Sequence, residues 1–159
     1  MAKVTPIRPK AASEAGPRYE LRMYRHGPGD HEMAVFQVRS PLTPHIVEPV
    51  FIGGLRGAAL ERFEPRILRL LRRHEVRIGP GQPGRRNVQD LGEEPALILG
   101  LLFRTLAPMR NRDYMEVCLT GIERMSREEA AYWLGMVMHR RKPRRILMAL
   151  RIVLNASDG

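Results

Sequence analysis

The chain has 159 residues, 43% hydrophobic and 28% charged, which is ordinary for one globular domain with a real core. Its charge is not ordinary: 27 Lys and Arg against 17 Asp and Glu leave a formal +10. The lone Cys118 excludes an intrachain disulfide and a cysteine-based metal cage, and the start of the chain lacks the apolar run of a signal peptide.

Residues 1–17 carry three prolines, small residues and scattered charge, and read as a flexible basic arm ahead of a single domain over 18–159. Residues 19–26 alternate, with Tyr19, Leu21 and Met23 on one face and Glu20, Arg22 and Tyr24 on the other. Residues 33–39 alternate more loosely, with Ala34, Phe36 and Val38 as the apolar set. Gly27-Pro28-Gly29-Asp30 supplies the turn chemistry of a β-hairpin between them. Residues 46–52 read as a third strand, confined to an edge or bulge by Pro49 and ended by Gly53-Gly54.

From Leu55 to Val76 the pattern turns helical, with Pro65 expected to break or kink it. Leu60, Phe63, Ile67, Leu70 and Leu71 share one face. Arg62, Arg66, Arg69 and Arg73 follow in steps of 4, 3 and 4 and form a second stripe, roughly 120° away. Only Glu61 and Glu64 are near enough in sequence to offset it, so the stripe is a candidate phosphate surface and Arg66 and Arg69 are expected to face solvent. Residues 79–92 form a polar Gly/Pro loop containing Arg85 and Arg86. Its literal G-x-G-x-x-G is no dinucleotide loop, because two variable positions are prolines without N–H groups and no helix start follows. Helices follow over Glu93–Leu106 and Asp113–Met125.

The stretch 126–154 reads as a helical hairpin. Ser126 and Glu129 fit a capping box, and Ala130, Trp133, Leu134 and Val137 form an apolar face that makes Trp133 a core residue. Lys142 precedes Pro143, which ends one helix and opens the next. That next helix, Arg144 to Leu154, is apolar nearly all round and is expected to be buried; it offers no polar row for reading base edges, which argues against a helix-turn-helix. Between the two helices, Arg140, Arg141, Lys142, Arg144 and Arg145 add a basic cluster without an acid. Strands first and helices after give an α+β class, with a small N-terminal sheet and about five helices.

No catalytic constellation is visible. The five histidines include no H-E-x-x-H, the four aspartates do not cluster, and Cys118 sits on an apolar helical stretch. No cofactor or metal is expected, and the longest apolar run is too short to span a bilayer, so the chain reads as cytoplasmic with no membrane partner. The expected partner is DNA or RNA backbone, met by the arginines named above as phosphate contacts without sequence specificity. The alternative is a protein adaptor, whose basic face docks an acidic partner and whose nine methionines supply adaptable apolar contact.

Met125-Ser126-Arg127-Glu128-Glu129-Ala130-Ala131-Tyr132-Trp133-Leu134-Gly135, followed by Arg144-Arg145-Ile146-Leu147-Met148-Ala149-Leu150-Arg151-Ile152, resembles an uncharacterised family of small bacterial proteins. That family appears beside large ATPases, helicases and methyltransferases linked to defence against phage. The resemblance covers the last third of the chain. It implies an accessory subunit of a larger complex working beside nucleic-acid enzymes, and no catalytic residue.

Overall fold

A computed structural model of the chain describes residues 17–27, 29–39, 48–79, 84–139 and 143–158. The architecture is α+β: a four-stranded antiparallel sheet backed by helices. Strands β1 (Arg18–Gly27), β2 (Asp30–Arg39), β3 (Val50–Arg56) and β4 (Arg86–Leu91) lie in the order β3-β2-β1-β4. Helices α1 (Gly57–Arg73), α2 (Glu93–Leu106), α3 (Arg112–Glu123), α4 (Arg127–His139) and α5 (Pro143–Asp158) complete the described residues.

The hairpin forms as its alternation requires, with Tyr19 and Leu21 buried on β1. The inward face of β2 is not the one its apolar set suggests. Val35 stands opposite Leu21, and Met33 opposite Met23, so Met33 and Val35 enter the core. Ala34 and Phe36 therefore lie on the outer face, because directly paired residues share a side of the sheet. The third strand begins at Val50, after Pro49, and runs through Gly53-Gly54 instead of ending there. The expected loop over 79–92 contains β4, whose Asn, Gln and Asp are poor strand formers. Its pairing with the free edge of β1 outweighs that propensity.

Helix α1 is unbroken through Pro65 and buries all five residues of its apolar stripe. It ends in a Schellman pattern: Val76 N–H donates to the Leu71 carbonyl and Glu75 N–H to that of Arg72. Glu75 holds the left-handed position at φ 62°, where glycine is usual. Helix α2 is the centre of the molecule. It packs on β3, on the hairpin strands and on α3 and α4, and is buried almost all round. Gly53 and Gly100 allow this: a Cβ at Gly53 would sit 2.7 Å from the Gly100 carbonyl oxygen.

The helical hairpin starts as expected. Ser126 Oγ accepts from Glu129 N–H at 3.1 Å, and Glu129 Oε1 accepts from Ser126 N–H at 3.1 Å. Trp133 is a correction: it is half-buried, packed against the core and edge-on to Tyr132. Helix α5 is a second correction. Its main packing is on α3 and α4, and among its described side chains Leu150 and Leu154 are the buried ones. Met148 (61% exposed), Ile152 (68%) and Val153 face outward, since one helix stripe can meet only the elements beside it. Ile152→Glu should therefore change stability by no more than about 0.5 kcal/mol in a urea unfolding curve, as surface substitutions do. A loss of several kcal/mol would return Ile152 to the core.

Cys118 is buried on α3, and burial pushes its thiol pKa up while Arg151 opposes the shift. Among the described residues no helix is long and apolar enough to cross a membrane. No group of three or more His, Cys, Asp or Glu among them is arranged to hold a metal ion.

Candidate nucleic-acid interface

The α1 arginines divide into two groups. Arg66 turns toward α3, where it bonds Glu116, donates to Thr120 Oγ1 at 3.1 Å and meets Glu123 Oε1 at 3.1 Å. Arg73 lies 3.8 Å from the same Glu123. These two join α1 to α3, and the expectation of a free, solvent-facing Arg66 is corrected. The acids that hold it are 50 and 57 positions away in sequence, beyond the reach of any local pattern. Arg62 and Arg69 remain exposed, and the stripe gains a neighbour in exposed Arg72.

Arg69 and Arg72 border a surface cavity beside His31 and Glu64. A second cavity, of about 220 Å³, adjoins it at the hairpin end and shares those two residues. Arg25 and Arg85 line it, with Tyr24, Leu68 and Asn87. Glu64 ties its floor together, 3.2 Å from the Arg25 guanidinium and 3.3 Å from His31 Nδ1. A third cavity, of about 410 Å³, continues around Tyr24 onto the outer face of the sheet, where Arg22 and Arg86 line it. Arg69 and the adjacent pair Arg85 and Arg86 thus line three cavities that share residues around the hairpin end.

Arg144 and Arg145 line none of these three cavities. Arg144 and Arg145 are exposed at the start of α5, which packs on α3 and α4. Arg140, Arg141 and Lys142 lie outside the described residues, as does the proposed arm except Pro17.

Among the described residues α1 and α2 pack on the inner face of the sheet, and no helix packs on its outer face. From the register, it presents Glu20, Arg22 and Tyr24 of β1 beside Glu32, Ala34 and Phe36 of β2. Phe51 of β3, opposite Phe36, and Arg86 of β4, opposite Tyr24, extend it. Phe36 and Phe51 meet edge to face with centroids 5.6 Å apart, and the Arg22 guanidinium sits 4.3 Å from the Phe36 centroid. Tyr24 packs on His26 at 3.8 Å. Arg104 of α2 reaches the β3 edge, where its side chain donates to the Ile52 carbonyl; burial lowers its pKa from the usual arginine value.

An arginine-rich α+β domain whose sheet has aromatic side chains on its outer face is the class this geometry defines. The chain belongs to the family described as a domain of unknown function (DUF7680), whose model matches residues 19–156. No curated protein and no solved structure matches the chain.

Proposed function

We propose that the protein binds nucleic-acid backbone without sequence specificity, as a non-catalytic accessory subunit of a larger cytoplasmic machine. The observation that carries the reading is that Arg69, Arg72, Arg85 and Arg86 line the cavities around the hairpin end. None of these four belongs to an ion pair among the described residues, whereas Arg66, Arg73 and Arg127 all do. Arginines left without carboxylates favour an anionic partner, and a guanidinium meets phosphate with two parallel hydrogen bonds. The C-terminal resemblance to small bacterial proteins found near phage-defence genes supports a place beside helicases or related enzymes.

The test reverses Arg69 and Arg86 to Glu together. Both side chains are exposed, so the fold is expected to stand. Affinity for DNA or RNA at low salt should fall more than tenfold, and the salt slope should flatten by about two units for two lost phosphate contacts. Unchanged affinity and slope in the double variant would remove these residues from the interface.

A second reading, the protein adaptor, is favoured by one observation. Met148, Ile152 and Val153 form an exposed apolar row on α5, where Arg151 lies over the Tyr114 ring at 4.9 Å. Such a row suits a protein partner rather than phosphate. In that reading the same arginines meet an acidic protein surface, and nucleic acid does not bind.

A further inference from the structure

We infer that the outer face of the sheet is a base-stacking platform for single-stranded nucleic acid. This rests on the nucleic-acid reading above and adds its substrate class: a strand whose bases are unpaired. A backbone-only surface needs cations alone. This face offers rings as well, in two sets.

Phe36 and Phe51 form one set, with Phe51 49% exposed. Tyr24 and His26 form the other. Phe36 pairs with Glu20, four residues from Tyr24 along β1, so the two sets are separated by about 14 Å at the antiparallel rise per residue. Between them the floor drops at Ala34, where a larger side chain would fill the space. The cavity there, of about 410 Å³, is lined by Tyr24 and His26 on one side and by Phe36, with the Arg22 guanidinium over its ring, on the other; Arg86 lines it too. A nucleobase needs a flat apolar wall on which to stack and a cation nearby for its phosphate, and every base has a π-face, so such a site is sequence-tolerant.

The charges agree with this occupant. Glu20 holds Arg22 at 3.1 Å, Glu32 lies 3.7 Å from His26, and Asp90 lies 3.9 Å from Arg18. Each acid on the face thus has a basic neighbour. With Arg56 and Arg86, which belong to no ion pair among the described residues, the arginines Arg18, Arg22, Arg56 and Arg86 outnumber the acids Glu20, Glu32 and Asp90 there by one, which leaves the face slightly positive. A duplex hides its bases and cannot use the rings, so a stacking platform separates single strands from duplexes where arginines alone do not.

The experiment compares full-length wild type, Phe51→Ala and Phe36→Leu by anisotropy. The probes are labelled oligo-dT and oligo-U 20-mers and a DNA duplex of the same length. Phe51 is exposed enough for its truncation to leave the fold intact, and Phe36→Leu removes the ring while keeping a branched apolar side chain; thermal melts check both. Wild type should prefer the single strands. Phe51→Ala should weaken their binding by about 5- to 150-fold, the range for one lost base stack, and leave duplex binding unchanged. Photocrosslinking of 5-iodouracil oligonucleotides should label peptides containing Tyr24, Phe36 or Phe51. Binding of single strands that both variants retain in full, with an intact salt slope, would overturn the platform while leaving the backbone reading standing. Absence of binding to any of the three probes by wild type at low salt would overturn both.

Discussion

Gly53→Ala should destabilise the protein by about 1–3 kcal/mol, the range for forcing an extra methyl into a packed interior. The added Cβ would lie 2.7 Å from the Gly100 carbonyl oxygen, 3.2 Å from Arg104 Cγ and 3.4 Å from Phe103 Cβ. The nearest of these is helix backbone, which cannot rotate away as a side chain can. The constraint is reciprocal, since a Cβ on Gly100 would lie 2.5 Å from Ile52 Cγ2. Relief therefore requires α2 to lift from β3, and α2 is the helix on which the sheet, α3 and α4 all pack. Gly135→Ala is the control. Nothing lies within 4 Å of a Cβ at Gly135 on α4, so the same change there should stabilise by up to about 1 kcal/mol through helix propensity. Opposite shifts of the urea midpoint are the expected pair; equal shifts would contradict the close approach of β3 and α2.

Arg66→Glu should destabilise by about 1.5–3 kcal/mol, the range for hydrogen bonds to charged groups. The wild-type guanidinium bonds Glu116, Thr120 and Glu123, and its side chain is only 27% exposed. The variant sets a third carboxylate against those of Glu116 and Glu123. It should recover part of the loss as pH falls toward 4, when carboxylates protonate and their repulsion fades. Arg69→Glu, on exposed Arg69, should leave the midpoint nearly unchanged. Equal unfolding midpoints for the two variants would return both arginines to the solvent stripe that periodicity alone implies.

These two predictions mark where the sequence was readable. The apolar face of α1 was legible because its spacing repeats over five buried residues, and the Ser126–Glu129 cap because its partners are three positions apart. The inward face of β2 was not. Met33, Ala34, Val35 and Phe36 are all apolar, so only the pairing with Leu21 and Met23 decides which side is buried. Strand β4 escaped because it is built from poor strand formers and exists through its partner edge. For α5, composition suggested burial, but among the described residues Met148, Ile152 and Val153 are exposed while Leu150 and Leu154 meet the core.

The candidate site follows the same division. Its cations were visible as arginines, with Arg69, Arg85 and Arg86 named from the sequence, but their meeting at the hairpin end depends on β4 pairing with β1. Tyr24 and Arg22 were already on the outward side of β1, which was the available signal for the sheet face. Phe36 and Phe51 joined them only once the register was known.

The most direct measurement is a salt titration of wild-type binding to a labelled single-stranded 20-mer, from about 50 to about 200 mM. Four or five arginine–phosphate contacts on a single strand give a slope of log affinity against log salt near about −3. That slope, with affinity preserved across unrelated sequences, is the result expected. No binding at the low-salt end, or an affinity that does not change with salt, would contradict the account and assign the arginines to an acidic protein partner.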